Sequence, residues 1–320
     1  MKNTDELVAA NIMSNLSESE LSADMLKLVT SLWDRQKTGP ARGGRFKWAN
    51  LTFASCEAVT GEPEIALKGA VAMELYALAA DIFDDIQDQD NRHSAWGKLS
   101  NPQAINLAIC LLLLSFKTIS DMQDVKYFKE ISQVFNQTGL RACDGQYQEH
   151  LLECRTDVNL TDYLDIAVKK SGSLTGCACK IGAISGDAST ELVEKLGEFG
   201  NILGIIAQIE NDLCDILNPE LKSDIAKRKK TLPLIYLTDT LQGVKAGELE
   251  QLLKLAGRDI QKFGLREKEK LRNIVLGEGA AHYCLVVQEM FRQKAMELLE
   301  QIPVPDKQKG KLINLVRENT

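Results

Sequence analysis

The sequence predicts an all-α protein, on the strength of three observations. The 320 residues include only seven prolines, and the long segments between them repeat apolar side chains at helical spacing. Leu, Ala, Glu and Lys, which favour helices, dominate these segments. Runs of β-branched residues with the alternation of a strand are scarce. We expect helices at 5–16, 18–36, 48–60, 65–90, 102–120, 124–152, 160–184, 189–217, 232–241, 246–256, 265–274 and 276–301.

The breaks between the predicted helices are short. They read "KTGPARGG" (37–44), "TGEP" (60–63), "LSNP" (99–102) and "LNPELKSD" (217–224). None resembles a linker between domains, and no repeat of 20–50 residues is evident. We therefore predict one domain over residues 1–320.

The composition excludes several classes of protein. A net charge of −7 gives no reason to expect a nucleic acid partner. The longest apolar run, 107–116, is about half of a membrane span and suits a buried helix, so we expect no span. The acidic N-terminal segment predicts no signal peptide. The eight cysteines lie mostly in apolar surroundings without zinc-ligand spacing, which indicates free thiols and a cytoplasmic protein.

Aspartates are concentrated in "DIFDDIQDQD" (81–90). A solvated acidic face is the ordinary explanation of such a run, but here it follows the apolar turns "MELYALAA" (73–80). Carboxylates at the end of a buried helix indicate a divalent cation site. On a helical wheel Asp90 faces away from the others. The side chains that share one arc of roughly 100° are those of Asp81, Asp84, Asp85 and Asp88.

A second polar cluster lies in "GIIAQIENDLCDI" (204–216), again after apolar turns. Two such helices facing each other would form a cavity with acids at its rim and aliphatic side chains below. Mg²⁺ prefers oxygen ligands and, when few carboxylates hold it, usually binds substrate phosphates as well. The residues thus predict an apolar substrate that carries phosphate. The side chains that share one arc of the second helix are those of Gln208, Asn211, Asp212 and Asp215.

Five segments, in order, resemble motifs of the trans-isoprenyl diphosphate synthases, the polyprenyl synthetase family. The resemblance covers roughly residues 40–240. It implies the isoprenoid synthase fold, which is a single helical bundle around a central prenyl pocket. It also implies a homodimeric enzyme that uses three Mg²⁺ ions to ionise an allylic diphosphate. The segments are "DDIQD" (84–88), "DGQYQE" (144–149), "YLDIAVKKSGSL" (163–174), "GIIAQIENDLCD" (204–215) and "SDIAKRKKTLPLIY" (223–236).

The resemblance also implies roles for individual residues. Asn211 stands where the family has the first aspartate of its second motif, and it can still offer a neutral oxygen. The alternative for Lys170 and Lys229 is that both are ordinary lysines on the surface. Asp81 is left at the rim of the site. The implied metal ligands are Asp84, Asp85, Asp88, Asn211, Asp212 and Asp215. The implied diphosphate and substrate contacts are Arg92, Gln146, Lys170, Gln208 and Lys229, and the implied catalytic set is Asp84, Asp85, Asp88, Lys170 and Lys229.

The residues just before the first motif bear on the length of the prenyl tail. In the family, the positions four and five residues upstream form the floor of the pocket. Here these are Ala80 and Ala79, which leave the pocket open. Tyr76 is about 5–6 Å deeper, one helical turn further. It is either the floor beneath a farnesyl or somewhat longer tail, or plain core.

The family's second phosphate site, for isopentenyl diphosphate, is eroded. In "RGGRFKW" (42–48) a glycine takes the place of the family's lysine, although Arg45 and Lys47 keep some charge. Ala77 replaces the family's histidine. The Arg-Arg-Gly that follows the first motif becomes "NRHSAW" (91–96). These departures predict an acceptor that is not a diphosphate.

A narrower resemblance is carried by "DIFDDIQDQDNRHSAWGKL" (81–99), "GIIAQIENDLCDIL" (204–217) with "SDIAKRKKTL" (223–232), and "GAAHYCLVVQEMFRQK" (279–294). These segments resemble bacterial prenyltransferases of competence-pheromone systems, and the likeness spans residues 70–300. It implies transfer of a geranyl or farnesyl group to a tryptophan of a precursor peptide. Indole is a carbon nucleophile that needs no phosphate site. A chain-elongating synthase that uses isopentenyl diphosphate is the alternative, because "NDLCD" stays close to the elongating pattern. A third hypothesis is a non-catalytic helical scaffold.

Overall fold

The computed structural model describes residues 4–36, 46–88, 96–122, 124–218, 224–227, 229–258 and 263–318, and every regular element in these ranges is a helix. The all-α prediction is therefore confirmed. A 3₁₀ turn precedes α4 (Pro63–Ala66), and a π-helical turn joins α7 to α8 (Val168–Gly172). The α-helices are α1 (Thr4–Ser17), α2 (Ala23–Gln36), α3 (Lys47–Thr60), α4 (Leu67–Asp88), α5 (Asn101–Ser120), α6 (Val125–Glu153), α7 (Leu160–Ala167), α8 (Ser173–Ser185), α9 (Thr190–Leu217), α10 (Asp224–Lys227), α11 (Leu232–Thr240), α12 (Gly243–Arg258), α13 (Leu265–Gly277), α14 (Ala280–Gln301) and α15 (Asp306–Glu318).

Several elements differ from the sequence-based expectation, among them the single turn α10, which was not predicted. The helix predicted at 160–184 is interrupted by the π turn, which an apolar repeat cannot reveal because one inserted residue hardly changes it. The helix predicted at 276–301 is broken at Gly279, whose φ of 86° ends one helix before the next begins. Helix α15 was not predicted, because it is short, polar and follows two prolines.

The described helices divide into two compact units. Unit 1 comprises Met1–Gly139, Leu174–Gly200 and Met296–Thr320, and unit 2 comprises Leu140–Ser173 and Asn201–Ala295. The assignment of one domain to residues 1–320 stays a prediction.

The core of unit 1 forms where α4 packs against α3 and α5. Small residues allow close approach of its helices. A β-carbon at Gly182 of α8 would lie 2.2 Å from the carbonyl oxygen of Thr52 in α3. At the same crossing the Ser55 hydroxyl donates to the carbonyl of Cys179 at 2.6 Å. Both contacts fix α3, whose N-terminus carries one of the candidate basic residues.

The apolar run at 107–116 lies in α5. Of the described helices, α5 alone is long and apolar enough to cross a membrane, and 44% of its most apolar 18-residue stretch is buried within the protein. Leu107 and Leu111 are fully buried in the core of unit 1. This is the position expected of a core helix.

The core of unit 2 consists of two apolar clusters. One joins α11, α12 and α13, and the other joins α7, α9, α11 and α14. A buried side chain links α14 to α9, because the Gln288 amide donates to the carbonyl of Ile206 at 3.1 Å. This arrangement fixes α9, which carries the second polar cluster.

Candidate active site

The first acidic cluster occupies the last two turns of α4. Asp81 is exposed, Asp84 and Asp85 are partly exposed, and Asp88, the last residue of the helix, is only 4% exposed. Asp90 lies outside the described residues. Asp81 is thus more exposed than the three aspartates of the motif, and its place at the rim of the site stays a prediction.

The donor set of this cluster fits Mg²⁺, because it offers carboxylate oxygens alone, the ligands that a hard divalent cation prefers. Three acids within five residues also repel one another, and a bound cation offsets that repulsion. Within the described ranges, no group of three or more His, Cys, Asp or Glu side chains is already arranged to hold a metal ion. The assignment of Asp84, Asp85 and Asp88 as ligands therefore stays a prediction.

The apolar turns before the cluster form a buried wall. Ala79 is buried, Ala80 is half-buried, and Tyr76 is 7% exposed one turn deeper. The Tyr76 hydroxyl donates to the carbonyl of Phe135 at 3.3 Å, and the two rings meet edge to face with centroids 4.7 Å apart. These contacts hold Tyr76 in one orientation. They suit both a pocket floor and an ordinary core residue.

Of the residues predicted at the second phosphate site, only some lie in the described part of the chain. Arg45 and Arg92 lie outside it. Ala77 is fully buried and has no polar group. Lys47 is exposed at the first residue of α3, and its ammonium lies 5.4 Å from the centroid of the Trp48 ring.

A buried carboxylate caps α3. One oxygen of Glu74 accepts from the backbone N–H groups of Trp48 and Ala49, each at 3.0 Å. Glu74 thus takes the place of an N-cap side chain for α3, because Phe46, the N-cap residue, has no group that can accept a hydrogen bond. Burial raises the pKa of Glu74 to about 8, although the two N–H groups oppose the rise. The sequence signal was a single glutamate within the otherwise apolar stretch 69–80 of α4.

The second polar cluster lies on α9. Asn211 is exposed, Asp215 is half-buried, and Asp212 is 4% exposed. Both carboxylate oxygens of Asp212 accept from protein donors, namely the Gln208 amide at 2.8 Å and the Leu232 N–H at 3.3 Å. In this structure Asp212 therefore orients Gln208 and the start of α11.

The contacts of Gln208 extend into the π turn. The Ser171 hydroxyl donates to the Gln208 carbonyl oxygen at 2.5 Å. Tyr163 of α7 lies beside Asp212, and burial, followed by that carboxylate, raises the pKa of Tyr163 well above its usual value. Four elements of unit 2 thus meet in one polar network around Gln208.

The two lysines expected to bind diphosphate meet at one carboxylate. Lys170 lies 2.6 Å from Oε2 of Glu149, and Lys229 lies 3.6 Å from the same oxygen. All three side chains are largely shielded from solvent, at 15%, 10% and 17% exposure respectively. They are therefore not ordinary surface residues, and the structure contradicts that alternative.

The π turn directs two consecutive lysines to different partners. Lys169 contacts Asp165 at 2.7 Å and Asp144 at 3.1 Å, whereas Lys170 contacts Glu149. Helix α6 approaches this turn closely, because a β-carbon at Gly145 would lie 2.7 Å from Cβ of Lys169. The inserted residue of a π turn is a common device at functional sites.

Of the buried polar atoms of unit 2 that make no hydrogen bond to the residues that the structure describes, two lie close in sequence to Glu149 or to Lys229. They are the amide nitrogen of Gln146 and the hydroxyl of Thr231. Gln146 is one turn from Glu149 on α6, and Thr231 is two residues after Lys229. Buried donors usually have partners, so both are suited to a ligand.

Sequence reasoning had not assigned Glu149, Gly145, Ser171 or Glu74 to the site. The signal for the first two was present, since both lie within the segment "DGQYQE" that carries the resemblance. What the sequence does not contain is the contact between that segment and the lysine of a turn some twenty residues later.

Fold and site together define an all-α enzyme with acidic clusters at helix ends and a lysine pair that is largely shielded from solvent. The family model for polyprenyl synthetase matches residues 41–264. The chain belongs to the polyprenyl synthetase family, and it is a prenyltransferase.

Individual relatives agree with this assignment. The chain is 28% identical to the tryptophan prenyltransferase ComQ of Bacillus subtilis (strain 168), over 96% of this chain and 94% of that protein. It is 30% identical to a short chain isoprenyl diphosphate synthase of Methanothermobacter thermautotrophicus, over 69% and 70%. The crystal structure of a polyprenyl synthetase from Streptomyces coelicolor A3(2) matches with a TM-score of 0.82, at 23% identity, over 99% and 97%. This last likeness shows the isoprenoid synthase fold.

Proposed function

We propose that the protein transfers a geranyl or farnesyl group from an allylic diphosphate to a tryptophan of a short precursor peptide, in a Mg²⁺-dependent reaction. One contrast carries the proposal. The residues implied to bind the allylic diphosphate, Lys170, Lys229 and Gln208, belong to two adjoining polar clusters. At the second phosphate site, the buried Ala77 stands where the family has a histidine. The similarity to ComQ along nearly the whole chain supports the same acceptor.

The residues of the chain suit the proposed chemistry. The allylic C–O bond breaks, its electron pair leaves with pyrophosphate, and the indole C3 supplies the pair for the new C–C bond. The indole cation that results loses its N1 proton to the released pyrophosphate. The ammonium groups of Lys170 and Lys229 stabilise the charge that develops on the leaving group. Bound Mg²⁺ would supply further neutralisation of that charge. The residues implied to hold it are Asp84, Asp85, Asp88, Asn211, Asp212 and Asp215. Three ions and their ligands follow from the family resemblance.

The second candidate is a chain-elongating synthase. The 30% identity to a short chain isoprenyl diphosphate synthase favours it, and so does the exposed Lys47, which is available to a second diphosphate.

One incubation separates the two candidates. The protein receives Mg²⁺, farnesyl diphosphate, labelled isopentenyl diphosphate and a tryptophan-containing peptide, and products are resolved by mass spectrometry. We expect a peptide heavier by one prenyl group and little longer prenyl diphosphate. Rapid elongation with an unmodified peptide would establish the synthase instead. A peptide whose tryptophan is replaced by phenylalanine is the control.

We also propose that the protein is a homodimer. Ile105, Ile109 and Leu113 form an exposed apolar stripe on the outward face of α5, and Leu113 is 63% exposed. Such stripes commonly mark a protein interface. Light scattering should give twice the chain mass for the wild type and for Val244→Glu, and a single chain mass for Leu113→Glu.

All eight cysteines are free thiols, which supports a cytoplasmic location.

A further inference from the structure

Glu149 occupies an unusual electrostatic position. Its Oε2 lies within ion-pair distance of two ammonium groups, those of Lys170 at 2.6 Å and Lys229 at 3.6 Å. Two like charges this close in a shielded site repel strongly, because water screens them poorly. A carboxylate between them offsets the repulsion and gives both lysines a common point of attachment.

The sequence around Glu149 favours this close arrangement. Gly145, one turn earlier on α6, has no side chain where a β-carbon would lie 3.1 Å from Cγ of Lys170. The π turn points Lys170 towards Glu149 and Lys169 towards Asp144. The two lysines of the proposed diphosphate site come from segments about sixty residues apart in sequence, and Glu149 is the shared contact between them.

We propose that Glu149 is a positioning residue that holds the ammonium groups of Lys170 and Lys229 together, ready for the two phosphoryl groups of one diphosphate. The inference rests on the proposed function, since it takes the lysines as the diphosphate site. A preassembled cationic pair binds its anion without the cost of ordering two flexible side chains. The acceptor plays no part in this role.

The test uses the full-length protein and inorganic pyrophosphate with Mg²⁺, so no acceptor is needed. Dissociation constants are measured by calorimetry for the wild type, Glu149→Gln and Asp144→Asn. Asp144→Asn is the matched control, because it removes the same charge from the same helix but affects the partner of Lys169. We expect Glu149→Gln to weaken pyrophosphate binding about tenfold or more, with Asp144→Asn within about twofold of the wild type.

A purely structural role would lower the melting temperature of Glu149→Gln and leave its pyrophosphate affinity unchanged, which would overturn the proposal. Tighter binding would also overturn it, because Glu149 would then only compete with the anion. If Glu149→Gln does not fold, pyrophosphate binding is measured on Glu149→Asp instead. Its shorter side chain keeps the charge but draws the carboxylate away from the two lysines. Weaker binding by at least about threefold supports the pairing, and unchanged binding overturns it. A wild type that binds no pyrophosphate would instead refute the proposed function.

Discussion

The hydroxyl of Tyr76 on α4 occupies the space that a side chain would need at Gly139 on α6. A β-carbon at position 139 would lie 2.5 Å from that oxygen and 3.8 Å from the ring carbon that bears it. The first distance is a clash and the second an ordinary contact. The glycine and the tyrosine hydroxyl are therefore matched in shape, and the hydroxyl is held there by the Phe135 carbonyl.

This match predicts the outcome of a double substitution. Gly139→Ala should destabilise the protein by about 1–3 kcal/mol, because it pushes Tyr76 away from its position. Adding Tyr76→Phe should recover most of that loss, since only the hydroxyl clashes. Denaturant unfolding of both single variants and the double variant measures the coupling. Gly247→Ala, where a β-carbon meets nothing within 4 Å, is the control and should be neutral or stabilising.

The length of the transferred prenyl group tests the predicted pocket floor. Ala80→Phe should shorten the preferred allylic substrate, because a ring one turn above Tyr76 would block the space beneath the aspartates. The measurement compares kcat/KM for geranyl and farnesyl diphosphates. We expect the preference to shift towards geranyl by about tenfold or more. An unchanged preference would show that the tail does not run along this face of α4.

The sequence was enough to predict the all-α fold and the helices that carry both acidic clusters. Helical periodicity and the short breaks are local properties, and the motifs reflect a family. The partners of individual side chains are not local. They depend on which helices pack together. One example is the contact of Glu149 with both Lys170 and Lys229. Another is Asp212, which faces Gln208 and Leu232 instead of solvent. The π turn adds one residue to a helix, and periodicity is too coarse to detect it.

The metal assignment on α4 predicts a selective loss of activity. Asp84→Asn should lower kcat/KM by at least about a hundredfold, because it removes a charged oxygen ligand from the cation. Helical circular dichroism should stay unchanged, since the side chain is partly exposed at a helix end. Asp81→Asn makes the same charge change one turn earlier, where the side chain is exposed, and should cost less than about tenfold.

Magnesium should also stabilise this end of α4. A cation bound by these carboxylates offsets their mutual repulsion, so Mg²⁺ with pyrophosphate should raise the melting temperature of the wild type and of Asp81→Asn. The rise should be smaller in Asp84→Asn. An equal rise in all three proteins would remove Asp84 from the ligand set.

Glu74 predicts how stability depends on pH. Burial raises the pKa of its carboxyl from 4.5 to about 8, and Asp81 adds to the rise while Lys47 opposes it. The folded state binds this proton more tightly than the unfolded state. The protonated carboxyl therefore makes its full contribution to the free energy of unfolding below pH 4.5. That contribution is lost as pH rises through 8.

Glu74→Gln keeps a neutral acceptor for the two N–H groups of α3 and carries no charge. Its unfolding free energy should fall less between pH 5 and 8.5 than that of the wild type, by on the order of a few kcal/mol. Glu64→Gln, at an exposed position in the preceding turn, should follow the wild-type curve. If Glu74→Gln follows it too, the buried carboxyl does not titrate in this range.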